Sequence, residues 1–150
     1  MTEPINLAVL AGAGEEIALG SSRIRIKLTG DQTAGAFALL EFYVLPGGGA
    51  ALHTHSYEAE TFYIHQGVLH FQLGGDHIEA GVGGVVHIPQ GLRHSFHNPG
   101  ADPCTAVILV TPSGLENYFR ELQRLIQSAS DQPDQAEIAA LSQRYGLDFG

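Results

Sequence analysis

The stretch GGGAALHTHSYEAETFYIHQG, residues 47–67, and the stretch GGVVHIPQGLRHSFHN, residues 83–98, decide how this chain is read. In the first, His53-Thr54-His55 sets two imidazoles two residues apart. Successive side chains of an extended strand point to opposite faces, so both rings share one face. Glu60 follows five residues later, enough chain for a sharp turn into the next strand, and Gly47–Gly49 precede the pair. In the second stretch, Pro89-Gln90-Gly91 forces a turn and delivers His94 at the start of another strand. Three neutral imidazoles and one carboxylate form a borderline donor set. It suits one divalent transition ion, Fe, Mn, Co, Ni, Cu or Zn, better than Mg or Ca. Four protein donors leave open positions on a five- or six-coordinate ion, the mark of a catalytic rather than a structural site.

Outward from these blocks, 19 glycines punctuate short apolar runs, the pattern of tight turns between strands. We expect strands over residues 15–20, 23–29, 35–45, 61–66, 68–73, 77–80, 85–88, 93–97 and 105–110, with hairpin turns at Gly30-Asp31 and Gly74-Gly75-Asp76. Arg23 to Leu28 alternate basic and apolar, giving one apolar face and one basic face that we read as solvated. The character then changes. Ser113-Gly114-Leu115-Glu116 has the spacing of a capping box, and Leu115, Phe119, Leu122 and Ile126 recur at helical spacing. Asp134 to Glu137 repeat the capping pattern, Ile138, Leu141 and Tyr145 mark a second helix, and Gly146 suits its C-terminal cap. A polar linker, 128–132, separates the two. Helices this short do not stand alone, so they must pack on the sheets or on a partner. Strands followed by helices, without β-α alternation, predict an all-β fold closed as a jelly roll or barrel, with two C-terminal α-helices.

Length and charge narrow the function. One domain over residues 1–150 is expected, with its β part at about 5–112 and its helices at about 114–146. A net charge of −9 with only seven Lys and Arg disfavours nucleic acid and anionic membranes. The single cysteine, Cys104, precludes an intrachain disulfide and reads as a small core residue. Met1-Thr2-Glu3-Pro4 lacks the positive region of a signal peptide, and no apolar run approaches the ~20 residues that span a bilayer. A cytoplasmic location is the expectation.

The spacing of the two blocks resembles a known family. Gly47-x5-His53-x-His55-x4-Glu60-x6-Gly67 is similar to the first cupin motif, and Gly83-x5-Pro89-x-Gly91-x2-His94-x3-Asn98 to the second, with fifteen residues between them. The chain therefore resembles a small single-domain cupin, a monocupin. That resemblance implies a cupin-type jelly-roll β-barrel and metal ligation by His53, His55, Glu60 and His94. It implies no single reaction, because the family spans dioxygenases, decarboxylases, isomerases, epimerases and binders. Glu60-Thr61-Phe62-Tyr63, residues 89–98 and residues 111–119 are similar to quercetin-dioxygenase-type members. By that resemblance Glu60 is both ligand and catalytic general base.

Strand parity extends the reading. If Glu60 and His94 point inward, so do Phe62, Ile64 and Phe96, and Phe71 shares an inner face with Leu69 and Leu73. We expect Phe62, Ile64, Phe71 and Phe96 to line an apolar pocket for an aromatic or otherwise nonpolar small molecule. His97 should point away from the metal, as should Tyr63. His65, His70 and His77 share none of the ligand pattern, and His87 is the one that could orient a ligand from behind. Phosphosugar chemistry needs Arg or Lys near the metal, and parity turns Arg93 away. The expected function is thus a metal-dependent dioxygenase acting on an aromatic or enol-type small molecule. The alternatives are a non-catalytic binder and an isomerase or epimerase of an uncharged sugar; Glu41 and Gln72 inside the cavity would favour the last. A homodimer is the expected assembly.

Overall fold

The computed structural model describes residues 7–20 and 22–150, so Met1–Pro4 lie outside it. The elements run β1 (Glu15–Leu19), β2 (Ser22–Leu28), β3 (Ala38–Val44), β4 (Gly49–His55), β5 (Ala59–Gln66), β6 (Leu69–Leu73), β7 (Asp76–Ala80), β8 (Val85–Ile88), β9 (His94–His97), β10 (Cys104–Thr111), α1 (Leu115–Ser128), α2 (Gln135–Arg144) and β11 (Leu147–Asp148). A six-stranded sheet has the order β1-β2-β3-β10-β5-β8, and a five-stranded sheet the order β11-β4-β9-β6-β7. From β3 to β6 and from β7 to β10 the chain steps from one sheet to the other at almost every connection, which is the jelly-roll plan.

Period-two patterning explains the packing. β10 alternates buried and half-buried along its whole length. It lies between β3 and β5, in register Ile108 to Leu40 and Ile108 to Phe62. Inward side chains of the two sheets meet in one core that includes Ile17, Leu40, Phe62, Ile64, Leu69, Phe71, Ile88, Ile108 and Val110. Removing such area from water is the main stabilising term. Cys104 is buried there, as its apolar strand suggested.

Three expectations need correction. Among the described residues no strand ladder joins the two sheets, so the closed barrel is an open two-sheet jelly roll. Parity tells which face is inward but not whether edge strands pair; here the edge strands β1 and β11 are covered by α1 and α2. The strand β4 was not among the nine expected, because Gly49-Ala50-Ala51 carries no strand-forming side chains. It forms because Gly49 lets the backbone approach β9: with φ 152, a Cβ there would sit 2.1 Å from the Phe96 carbonyl oxygen. The capping box at Ser113 is also only half formed. Gly114 is the N-cap, and Glu116 accepts from the N–H of Gly114 (2.8 Å) and of Gly30 (2.9 Å), while the Ser113 hydroxyl donates to the Gly35 carbonyl.

The helices pack within the chain. α1 buries Leu115 and Tyr118, with Phe119, Leu122 and Leu125 against the core. Asp134 caps α2 by accepting from the Ala136 N–H at 2.8 Å, and Gly146 ends it with φ 74. The Tyr118 and Ser142 hydroxyls meet at 3.1 Å between the helices. None of the described helices is long and apolar enough to cross a membrane.

Candidate metal centre

Strand register builds the cluster. In the β4–β9 pair His53 stands opposite His94, and His55 lies two residues on along the same inner face. Glu60 is the second residue of β5 on the facing sheet, so three imidazoles from one sheet meet a carboxylate from the other. One donor atom from each of the four lies within 4.8 Å of all the others, and all four residues are buried. Glu60 Oε1 is 3.0 Å from His55 Nε2 and 3.2 Å from His94 Nε2, and His53 Nε2 is 3.0 Å from His55 Nε2.

The outer nitrogens are all engaged. His53 Nδ1 donates to the Ala51 carbonyl (2.6 Å), His94 Nδ1 to the Leu92 carbonyl (2.8 Å) and His55 Nδ1 to Glu58 Oε1 (2.9 Å). Such bonds fix the tautomer that leaves the Nε2 lone pair free, as a metal ligand requires. Three lone pairs and a carboxylate oxygen then face one point, an arrangement that repels itself unless a cation sits there. The donor set therefore fits a divalent transition ion. Glu58 escaped the sequence reading because it lies in the loop before β5, outside any periodic pattern. Its only sequence signal is a carboxylate three residues after His55.

Without an ion, a proton takes the cation's place. Burial alone would push His55 down, but the hydrogen bonds and charges of Glu58 and Glu60 outweigh burial and raise it to about 9. Burial, reinforced by the neighbouring His55 and His94, lowers His53 to about 4 despite the Ala51 bond. Burial would raise Glu60, yet the bonds from His55 and His94 hold it at about 2.

A cavity of about 260 Å³ opens onto the cluster and is bounded by His53, His55 and Glu60. Its apolar walls are Phe42, Phe96, Phe119, Leu122, Leu147 and Phe149. Of the four residues expected to line it, only Phe96 does. Phe62, Ile64 and Phe71 do point inward, but they are fully packed. The Phe62 ring lies 5.1 Å from Phe71 and 5.3 Å from Phe96, leaving no space at that level. The space lies instead beside Gly49 and Ala50, whose small side chains leave volume that α1 and β11 roof over. Arg23 reaches the rim, pairing with Glu16 at 3.8 Å.

The other histidines lie outside. His87 Nδ1 meets the Thr61 hydroxyl at 2.8 Å on the outer face, so it does not orient a ligand. His65 is exposed. His70 pairs with Glu79 and packs near His97, with His77 beside them on the outside of the five-stranded sheet. Tyr63 is exposed, as parity requires.

Comparison with known proteins agrees with this geometry. Residues 40–110 match the cupin domain family. The chain is 28% identical over 112 residues to quercetin 2,3-dioxygenase of Bacillus subtilis, a match covering 75% of this chain and 33% of that protein. It spans about a third of the length of the curated relatives it matches. A predicted oxalate decarboxylase of Thermotoga maritima superposes with a TM-score of 0.64 at 21% identity, over 71% of this chain and 99% of that one. KdgF from Halomonas sp. superposes at 0.67 with 13% identity, over 75% and 99%. At those identities the two structures speak for the fold alone. The family match runs through β4, β5 and β9, the strands that carry the four converging donors, and residues 40–110 are a cupin domain.

Proposed function

We propose that this protein is a metal-dependent dioxygenase acting on an aromatic or enol-type small molecule, with the ion held by His53, His55, Glu60 and His94. One observation carries the reading: an apolar, largely aromatic cavity ends on the donor cluster. The name of the Bacillus subtilis relative, quercetin 2,3-dioxygenase, supports it. A bound divalent ion supplies Lewis acidity and coordination positions beyond the four side chains. The apolar walls exclude water and orient a planar substrate by contact rather than by hydrogen bonds. Glu60 lines the cavity as an ionised carboxylate, and in this reading it also accepts the proton of a substrate hydroxyl.

The sugar isomerase reading loses its support. Glu41 lies on the outer face near Arg25, and Gln72 bonds the Gly74 carbonyl beside the outer histidines. Neither enters the cavity.

The test is elemental analysis of the purified protein, paired with oxygen uptake on a panel of flavonols and β-diketones. About one transition ion per chain, with one O₂ consumed per substrate cleaved, is the expected result. Stoichiometric metal without uptake on any panel member would refute the dioxygenase reading in favour of a binder or another cupin reaction. No transition metal under any loading condition would reduce the motif to a structural relic.

A further inference from the structure

We infer that Phe149, which directly follows the short strand β11, is a specificity-determining residue that stacks on the aromatic ring of the bound molecule. The inference rests on the aromatic-substrate reading above and adds the residue that selects for the ring.

β11 pairs antiparallel with β4, Leu147 opposite the ligand His55 and Asp148 opposite Thr54. That pairing fixes parity: Leu147 turns in and is buried, Asp148 turns out, and Phe149 returns to the cavity side. A second tie comes from Arg93, next to the ligand His94, whose guanidinium donates to the Phe149 carbonyl at 3.4 Å. The segment also leaves α2 through Gly146, at φ 74, where an added Cβ would sit 2.9 Å from the Tyr57 ring. The backbone that presents Phe149 is thus held at three places.

The ring itself is not packed into the core. Its centroid lies 5.5 Å from that of His53, tilted 32°, yet the residue is 49% exposed. Phe42 and Phe96, deeper in the cavity, have other rings as partners. Phe149 has one face toward a metal ligand and another free, at the mouth of a cavity whose walls offer little but apolar contact. An aromatic ring so placed favours a planar π-system over an equally apolar but non-aromatic molecule.

The experiment measures affinity, without oxygen and therefore without turnover, of the metal-loaded full chain for quercetin and for acetylacetone, a small non-aromatic enol. F149A should weaken quercetin binding about 2- to 12-fold, the equivalent of the ~0.5–1.5 kcal/mol of an aromatic pair. It should leave acetylacetone within about 2-fold. F149L should fail to restore quercetin binding and F149W should restore it. Metal content should be one per chain in every variant. Equal affinity of F149A and wild type for quercetin, including no measurable binding by either, would overturn the inference. So would an equal loss for both probes, full rescue by F149L, or loss of the metal, which would make Phe149 a mere cover for His53. Absence of oxygen uptake would refute the dioxygenase reading and leave these affinities untouched, so the two failures are separable.

Discussion

Replacing Glu58 should weaken metal binding, and by more at high pH than at neutral pH. Its carboxylate accepts the His55 Nδ1–H at 2.9 Å, and both side chains are about 5% exposed. Removing a partner that orients a metal-bound imidazole costs ~10- to 100-fold in affinity. An opposing effect operates in the metal-free protein. Glu58 helps raise His55 to about 9. At pH 7 a proton then competes with the ion across about two pH units, weakening wild-type binding by about 100-fold. Taking Glu58 away lowers that value and relieves part of the competition, which masks the loss. Near pH 9.5, where the wild-type His55 is largely deprotonated, nothing masks it. The order expected there is wild type tightest, then Glu58→Gln, whose amide oxygen still accepts the bond, then Glu58→Ala, which leaves a buried N–H without a partner. Competition of Zn(II) against a chromophoric chelator at both pH values measures this. A Glu58→Ala protein that binds as tightly as wild type at both, or a deficit that shrinks as pH rises, would refute the reasoning.

His55→Ala and Glu60→Ala should each abolish stoichiometric metal by plasma mass spectrometry yet keep a cooperative thermal transition, because the apolar core between the sheets does not include the donors. Stability of the metal-free protein should peak near pH 6.5, read as melting temperature against pH. His55, raised to about 9, contributes stability fully below 6.5 and loses it as pH rises toward 9; His53, lowered to about 4, contributes above 6.5 and loses it as pH falls toward 4. Glu60, lowered to about 2, loses its contribution only below 4.5, further acidifying the same flank. A monotonic profile between pH 4 and 9 would contradict these assignments. Phe62→Ala should destabilise by ~3–5 kcal/mol in chemical denaturation, since the ring is fully buried against Phe71 and Phe96, while leaving metal content at one per chain.

What the sequence made legible is what has a period. Two-residue alternation gave the inward faces of β5, β6 and β9, and the same rule brought His53 and His55 to one side. Fixed spacing did the rest for Glu60 and His94, which the fold brings together from different strands. Aperiodic features stayed hidden. Glu58 sits in a loop, and β11 is two residues long. The cavity was misplaced for a related reason. Parity says that Phe62, Ile64 and Phe71 face inward, but whether an inward side chain borders space depends on what it meets from the other sheet. The large rings of Phe62, Phe71 and Phe96 meet one another, whereas Gly49 and Ala50 leave room under α1.

The charge of the centre argues for a dication in particular. Two buried carboxylates, Glu58 and Glu60, face the imidazoles, and in the metal-free protein His55 holds a proton between them. Formally that sums to −1 among side chains that are all buried, which is unfavourable for a cluster so poorly hydrated. Exchanging the proton for a dication gives zero, so binding improves the electrostatics of the interior while releasing about one proton at neutral pH. A monovalent ion would leave the centre at −1, and a trivalent one would leave it at +1. The His55–Glu58 pair therefore does two things at once. It aims the ligand, and it supplies the second negative charge without which a dication bound by three neutral imidazoles and Glu60 would be left with an unbalanced positive charge in an apolar cavity.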